Sequence, residues 1–281
     1  SPQPHQTLVH AMPDPEELGR VYRPDLGLVT TMPALAAAIA RYAENPALEG
    51  LAARVKPWRQ ILREGYERYS APAAGPGGSP PAQSGTVDQA TAWRLLRDAL
   101  PLNVVVTNGA GNYTAFLHRY HRYTQFGSQI APTSGAMGYG LPAAIGVCLA
   151  HPDRPVLCVA GDGCFMMSSH ELITAVRLRL PIVVVVFDNQ MFGTIRMHQE
   201  RWFPERVYGT DLENPDFITL ARAHGAHAQR IDSIDDLIHA VRAGFKADRP
   251  TLLHVATDPE AIGPNGTISS IRRKALEAHR P

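Results

Sequence analysis

The sequence has few cysteines, few aromatic residues and almost no excess of charge of either sign. Cys148, Cys158 and Cys164 lie in apolar or strand-end contexts without metal-like spacing, so we interpret them as buried free thiols in a reducing cytoplasm. A formal net charge of +1 without basic clusters argues against nucleic acid or an anionic membrane surface as the main partner. No apolar run approaches the ~20 residues that span a bilayer, and the first ten residues do not resemble a signal peptide.

Two common nucleotide-binding patterns are also missing. The sequence contains no Walker A pattern (GxxxxGK followed by Ser or Thr) and no GxGxxG, so it does not predict a P-loop NTPase or a standard dinucleotide-binding protein. The length of 281 residues is enough for one or two domains with a buried core.

The most informative stretch contains two apolar runs that each end in polar residues. Val156–Ala160 is followed by Gly161-Asp162-Gly163, and Ile182–Phe187 is followed by Asp188-Asn189-Gln190. β-branched runs separated by a helix-length segment predict a parallel βαβ unit. Both polar groups then lie at the carboxyl ends of adjacent strands, where open α/β sheets bind ligands.

The residues at these two strand ends suit an anion held through a metal. Gly161 and Gly163 allow a tight turn and a close approach of the backbone to a ligand, and the N–H groups of a helix opening after Gly163 would face the anion. Asp162 and Asn189 supply oxygen ligands of the kind that Mg²⁺ prefers. The simpler alternative is a glycine-rich βα turn beside an ordinary polar turn.

This pattern resembles the thiamine diphosphate motif of the acetolactate synthase and decarboxylase superfamily. Asn189 follows Asp162 by 27 positions and Gly193 completes the family's NNxxxG, although the first Asn of the pair is Asp188 here. The resemblance implies that Asp162, Asn189 and the main-chain oxygen of Met191 hold Mg²⁺. The resemblance also implies that eight residues of this segment contact the cofactor: Gly161, Asp162, Gly163, Cys164, Asn189, Met191, Phe192 and Gly193.

Two further glycine-rich segments extend the resemblance. The predicted strand Val104–Thr107 ends in NGAGNY, and the family's matching loop contacts the diphosphate; here that loop is Ala110, Gly111, Asn112 and Tyr113, which otherwise form a simple βα turn. In the segment TSGAMGYGLPAAI, Met137 aligns with the family's apolar residue that keeps the cofactor folded. Gly135 aligns with the residue whose carbonyl accepts a hydrogen bond from the 4′-amino group of the cofactor. Without the resemblance, Met137 is more simply a core residue.

The segment after Gly193 departs from the family. Acetolactate synthases have a Trp that helps select the second 2-keto acid, and His198 occupies the aligned position, with Arg196 two residues before it. Arg196 and His198 could meet a substrate carboxylate or could equally line a solvated helix face. The departure puts acetohydroxy acid specificity in doubt but leaves the cofactor prediction untouched.

The order of predicted elements gives the domain organisation. Strands and helices alternate from Val104 to Ala256, which predicts an α/β fold with a doubly wound, largely parallel sheet. We assign residues 86–257 to the diphosphate-binding domain, 71–85 to a Pro/Gly/Ser-rich linker and 258–281 to a C-terminal tail. Residues 1–70 resemble the end of the family's central domain. FAD, which some relatives bind there, is doubtful because Met12 replaces an Asp common in them.

The resemblance implies a carboligase or decarboxylase of 2-keto acids that uses thiamine diphosphate and Mg²⁺. In the family, a Glu on a pyrimidine-binding domain, usually from a partner subunit, activates the cofactor, and no segment here resembles that domain. The chain is therefore expected to be inactive alone and to form homo-oligomers through an apolar surface edged by Met137, Tyr139 and Leu141. The alternative is a non-catalytic cofactor-binding module.

Overall fold

The structure is a computed structural model that describes residues 4–43, 45–71 and 85–278, and it divides into two compact units. The first unit comprises residues 1–68 and the second residues 69–281. Apart from residues 71 and 85, the predicted linker lies outside the described residues.

The first unit is small and has only a two-stranded sheet. Strands β1 (Val9–Met12) and β2 (Leu26–Val29) form a two-stranded parallel sheet, and helices α1 (Met32–Tyr42) and α2 (Leu51–Ser70) follow. Thr31 caps α1 by accepting the Ala34 N–H. No described residue of this unit is buried, so its apolar side chains do not enclose a core of their own.

The second unit contains a six-stranded sheet in which every neighbouring pair is parallel, in the order β4-β3-β5-β6-β8-β7. Its strands are β3 (Val105–Asn108), β4 (Gln129–Ile130), β5 (Val156–Gly161), β6 (Ile182–Asp188), β7 (His227–Ile231) and β8 (Thr251–Ala256). Every residue of β3, β5 and β6 is buried, as expected for parallel strands covered on both faces.

Nine α-helices lie in the described part of the second unit in addition to the end of α2. They are α3 (Gln89–Ala99), α4 (Tyr113–Tyr120), α5 (Gly140–Ala150), α6 (Asp162–Met166), α7 (Leu172–Arg177), α8 (Gly193–Trp202), α9 (Phe217–Ala223), α10 (Ile234–Gly244) and α11 (Ile268–Ala278). Side chains of Asp88, Asp216 and Ser233 cap α3, α9 and α10 by accepting backbone N–H groups of the first turn.

Two hydrophobic cores lie on opposite faces of this sheet. Leu157 and Val159 of β5 join the core formed with α3, α4 and α10, whereas Cys158 and Ala160 join the core formed with α5, α7 and α9. This alternation follows from the two-residue period of a strand. The predicted doubly wound α/β fold is confirmed.

Two local expectations need correction, and one strand was missed. The segment after Gly163 is not one helix but α6, a 3-10 turn and α7, so a strong helix dipole is not available behind the Gly161–Gly163 turn. The predicted tail contains α11. The edge strand β4 was not predicted.

None of the helices in the described ranges combines the length and the apolar character needed to cross a bilayer.

Candidate functional site

A cleft opens at the carboxyl ends of β3, β5 and β6. Its volume is about 560 Å³, including its open mouth. It brings together most of the residues that the sequence predicted to lie at the cofactor: Ala110, Gly111, Asn112, Tyr113, Met137, Gly161, Asp162, Gly163, Cys164, Asn189, Met191, Phe192 and Gly193. Loops that are up to 83 positions apart in the chain therefore meet at one edge of the sheet.

Three predicted residues do not line this cleft. Gly135 lies in an exposed turn with a φ of +69°, in the left-handed region that favours glycine. Arg196 and His198 lie on α8 outside the cleft, and His198 is exposed. The cleft is also lined by residues that the sequence did not single out: Gln89, Phe116, Phe187, Thr194, Ile195, Ala261 and Ile262.

The Gly161–Gly163 turn forms a close-fitting cradle. A Cβ at Gly161 would lie 2.9 Å from Cδ1 of Tyr113, and a Cβ at Gly163 would lie 2.7 Å from Cε1 of Phe192. Neither position can take a side chain unless the facing ring moves. Both glycines line the cleft, and no Cβ separates their backbone from it.

Tyr113 and Cys164 are part of the packed floor of the cleft. The Tyr113 hydroxyl accepts the Gly109 N–H at 3.0 Å and lies 3.3 Å from the Cys164 Sγ. Burial, followed by the neighbouring Cys164, raises the pKa of the Tyr113 phenol, so it stays protonated. The Cys164 Sγ also accepts the Gly138 N–H at 3.3 Å, which attaches the loop carrying Met137 to the glycine turn.

The side chain of Asn112 connects three segments around the cleft. Its Oδ1 accepts from the Thr194 hydroxyl at 2.7 Å, and its Nδ2 donates to the Ile262 carbonyl at 2.8 Å. These contacts join the loop after β3 to the first turn of α8 and to the segment before α11. The second hydrogen of Nδ2 is directed at the Met197 Sδ, 3.8 Å away, and is the one that a diphosphate oxygen could accept instead.

The loop after β6 is held in a defined shape. Gln190 has a φ of +57°, and its N–H donates to Oδ1 of Asp188 at 3.0 Å. The Phe192 N–H donates to Thr210 at 2.8 Å, and the Leu212 N–H donates to the Gln190 carbonyl at 2.8 Å. The carbonyl of Met191 accepts only the Gly193 N–H among the described backbone groups, at 2.9 Å, so a lone pair is left for a cation.

Two buried carboxylates lie side by side at the ends of β5 and β6. The Nδ2 group of Asn214 donates to Oδ2 of Asp162 at 2.8 Å and to Oδ1 of Asp188 at 2.9 Å. Burial raises the pKa of Asp162 above its usual range, and the hydrogen bond from Asn214 only partly opposes this. Burial also acts to raise the pKa of Asp188, but hydrogen bonds, first that from His254, hold it below its usual value.

Sequence reasoning missed Asn214 and His254. The Asn214-Pro215 pair predicts the start of a helix, and this pattern gives no sign that the Asn214 amide bonds to two carboxylates. His254 gives a clearer signal, because it is the one polar ring within the otherwise apolar segment LLHVA of a buried strand.

Arg196 is engaged in an ion pair rather than directed into the cleft. Its Nε lies 3.1 Å from Oε1 of Glu200, a fully buried carboxylate that Arg272 also holds, with its Nε 2.8 Å from Oε2. Glu200 thus joins α8 to α11. Donation by Arg272, more than the other contacts, lowers the pKa of Glu200 to about 2.

We expect Glu200→Gln to lower the stability of the second unit, because it leaves two arginines without their shared anion. The loss at pH 7 should be about 3 kcal/mol, or roughly 10 °C in Tm for a unit of this size. Because the folded pKa is depressed, the stabilisation is present above the unfolded pKa of about 4.3 and is lost as the pH falls towards 2. Thermal unfolding between pH 7 and pH 2.5 tests this, with the exposed Glu277→Gln as control. A difference that does not shrink at low pH contradicts the prediction.

Residues 109–255 match a family described as "Thiamine pyrophosphate enzyme, C-terminal TPP binding domain". This match covers the loop after β3, the glycine turn, the loop after β6 and most of the parallel sheet. The chain belongs to this family. The family match confirms the prediction of a thiamine diphosphate-binding domain. The predicted resemblance to acetolactate synthases is confirmed by the similar proteins described next.

The chain is 32% identical over 257 residues to the acetolactate synthase isozyme 2 large subunit of Escherichia coli K12, which covers 91% of this chain and 44% of that protein. It is 38% identical over 145 residues to a sulfoacetaldehyde acetyltransferase of Alcaligenes xylosoxydans xylosoxydans, covering 51% of this chain and 24% of that protein. The chain thus spans less than half the length of these curated relatives.

A solved structure of similar fold is the thiamine diphosphate-dependent 4-hydroxybenzoylformate decarboxylase of Rhodococcus jostii RHA1. Its TM-score is 0.70 at 24% sequence identity, and the similarity covers 89% of this chain and 44% of that one. The similarity supports the fold described above.

Proposed function

We propose that the chain is the thiamine diphosphate- and Mg²⁺-binding portion of a carboligase or decarboxylase that acts on 2-keto acids. The observation that carries the proposal is the meeting of Asp162, Asn189 and Met191 beside the Gly161–Gly163 turn in one cleft of a thiamine pyrophosphate-binding domain. The relatives named above, a synthase and an acetyltransferase, support the reaction class.

The residues of the cleft fit this cofactor. Among the described residues, no three His, Cys, Asp or Glu side chains form a group that could hold a metal ion by themselves. A cation beside Asp162 therefore needs neutral oxygen ligands, which the Asn189 amide and the Met191 carbonyl offer, and phosphate oxygens to complete its shell. One carboxylate with neutral oxygens and a diphosphate is a donor set that suits Mg²⁺.

When bound, thiamine diphosphate supplies the carbon nucleophile and the electron sink for decarboxylation of a 2-keto acid. The chain's own residues bind and orient it. Asp162, Asn189 and Met191 would hold the cation, the bare backbone of Gly161 and Gly163 would lie against the diphosphate, and Met137 would support the folded form. Gly135, which lies in the exposed turn two residues before Met137, would offer its carbonyl to the cofactor's amino group.

We further propose that activity requires a pyrimidine-binding domain, in the same or another chain, that supplies an activating Glu. The site and partner assignments rest on the resemblance together with the cleft. The three cysteines are free and buried, which is compatible with the proposed cytoplasmic location. The second candidate function is a non-catalytic cofactor-binding module.

Binding and turnover separate these two functions. Calorimetry should show thiamine diphosphate binding that requires Mg²⁺ and disappears with EDTA. Pyruvate consumption should be absent for the chain alone and should appear when a pyrimidine-binding domain is supplied in trans. If the chain binds thiamine diphosphate but no pyruvate is consumed with or without the added domain, the non-catalytic module is favoured. If no Mg²⁺-dependent binding is seen, both proposed functions are contradicted.

Self-association is expected because apolar side chains are exposed near the cleft. Tyr139 is 39% exposed and Met167 51% exposed, and a Cβ on Gly138 would lie 3.1 Å from the Met167 Cβ, so the loop and the end of α6 form one surface. Leu141, expected at this edge, is instead buried in the first turn of α5. Light scattering at tens of micromolar should show a dimer that Tyr139→Glu weakens, whereas Tyr22→Glu in the first unit should not. A wild-type monomer would contradict the expectation.

A further inference from the structure

Asn214 bridges two buried carboxylates through a single amide group. Its Nδ2 lies 2.8 Å from Oδ2 of Asp162 and 2.9 Å from Oδ1 of Asp188. An amide nitrogen carries two hydrogens, so it can donate one to each carboxylate. Asp162 is 3% exposed and Asp188 is 7% exposed, so water contributes little to separating their charges.

Asp188 is held from its other side as well. Its Oδ2 lies 2.9 Å from Nε2 of His254, and its Oδ1 also accepts the Gln190 N–H at 3.0 Å. A carboxylate only accepts, so Nε2 carries the proton in this contact. Both oxygens of Asp188 are therefore engaged, and its position is fixed by β8 and by the loop that carries Asn189.

The residue type at position 188 makes these donors necessary. An Asn at this position, as in the family motif, could donate its own amide hydrogen to Asp162, but an ionised Asp cannot. Two ionised carboxylates without a donor between them repel, and they either move apart or take up a shared proton. Asn214 supplies that donor and holds Oδ2 of Asp162, and in the proposed site Oδ1 is the oxygen that would meet the cation.

We propose that Asn214 is a positioning residue of the cation site, acting on Asp162 through the bridge to Asp188, which His254 anchors. The inference rests on the proposed function for the identity of the cation. Outer partners that orient a metal ligand typically change metal affinity 10–100-fold when they are removed. Asn214→Ala should therefore raise the Mg²⁺ concentration for half-saturation of cofactor binding by at least about 10-fold.

The test titrates Mg²⁺ at fixed thiamine diphosphate on the full chain, followed by calorimetry. For Asn214→Ala, affinity for thiamine diphosphate should return close to the wild-type value at saturating Mg²⁺, which a general loss of structure would not allow. Asn214→Ser keeps one donor and should raise the Mg²⁺ concentration for half-saturation by an intermediate factor. If the alanine variant does not fold, the serine variant is used in its place. Asn103→Ala, an equivalent change at an exposed asparagine, is the matched control.

A second measurement needs no ligand. In the Mg²⁺-free protein, Asn214→Ala should lower Tm in the wild-type background and lower it less in the Asp188→Asn background, because the second carboxylate is then absent. Additive Tm changes overturn the bridge. If the wild type binds the cofactor in a Mg²⁺-dependent way and Asn214→Ala needs the same Mg²⁺ concentration, the positioning role is overturned. Lack of Mg²⁺-dependent binding by the wild type overturns the proposed function and the cation role, and the Tm cycle alone then decides the bridge.

Discussion

Asp162→Ala is expected to abolish Mg²⁺-dependent binding of thiamine diphosphate, with a loss of at least ~100-fold in affinity. Asp162 is the only carboxylate among the proposed cation ligands, and the remaining ones, the Asn189 amide and the Met191 carbonyl, are neutral. Without it the cation has no charged protein ligand, and the diphosphate loses the charge neutralisation that the closely packed backbone requires. Calorimetry with and without Mg²⁺ measures the loss.

The fold of this variant should persist. Burial raises the pKa of Asp162, and a carboxylate whose pKa is higher in the folded than in the unfolded state costs stability at pH 7. That cost disappears as the pH falls below both pKa values. The alanine variant should therefore remain folded at pH 7, because removal of the buried charge offsets the loss of the hydrogen bond from Asn214. Asp153→Ala, at an exposed aspartate, serves as control; unchanged cofactor affinity in Asp162→Ala would refute the metal assignment.

The sequence was sufficient to predict the sheet and the convergence of the two polar strand ends. Runs such as Val156–Ala160 and Ile182–Phe187 are β-branched and bounded by polar residues, and parallel pairing then requires that their carboxyl ends lie together. The observed register places Gly161 opposite Phe187, one residue before Asp188. The meeting of these ends in a cleft thus follows from the pattern of the chain and the geometry of parallel strands.

The parts that sequence reasoning missed depend on contacts between distant segments. A two-residue strand such as Gln129–Ile130 has no periodicity to detect, and only pairing with β3 defines it. The bridge through Asn214 and the anchor at His254 join residues 26 to 66 positions apart, so no local pattern reveals them.

The contacts of Arg196 could not be predicted from the sequence for a related reason. Arg196 is one helical turn from Glu200 and only two residues from His198, and the sequence alone does not show that the Glu200 carboxylate is buried. In the structure Glu200 has no solvent exposure and is shared with α11, a helix assigned to the tail. A buried carboxylate takes priority over a substrate contact, because an unpaired buried charge is costly.

Met137→Ala should lower turnover in the complete enzyme by about 100-fold while leaving affinity for thiamine diphosphate nearly unchanged, since a 1 Å misplacement can cost that much. Met137 lines the cleft and packs, half-buried, against the core that includes Tyr113 and Cys164. The proposed anion and cation contacts are made by other residues, so binding should survive. The folded geometry of the cofactor, which brings its reacting groups together, should be lost in the variant.

The experiment separates this role from simple packing. Calorimetry gives the cofactor affinity, and pyruvate consumption with the pyrimidine-binding domain present gives kcat. Met166→Ala, which truncates an exposed methionine on α6 that does not line the cleft, should leave both unchanged. Truncation of a half-buried side chain should also lower Tm by a few degrees, so kcat is compared well below the Tm of each variant. If the turnover of Met137→Ala equals that of the wild type under those conditions, Met137 only fills the core, because a lost support for the cofactor must appear in kcat when affinity and folding are intact.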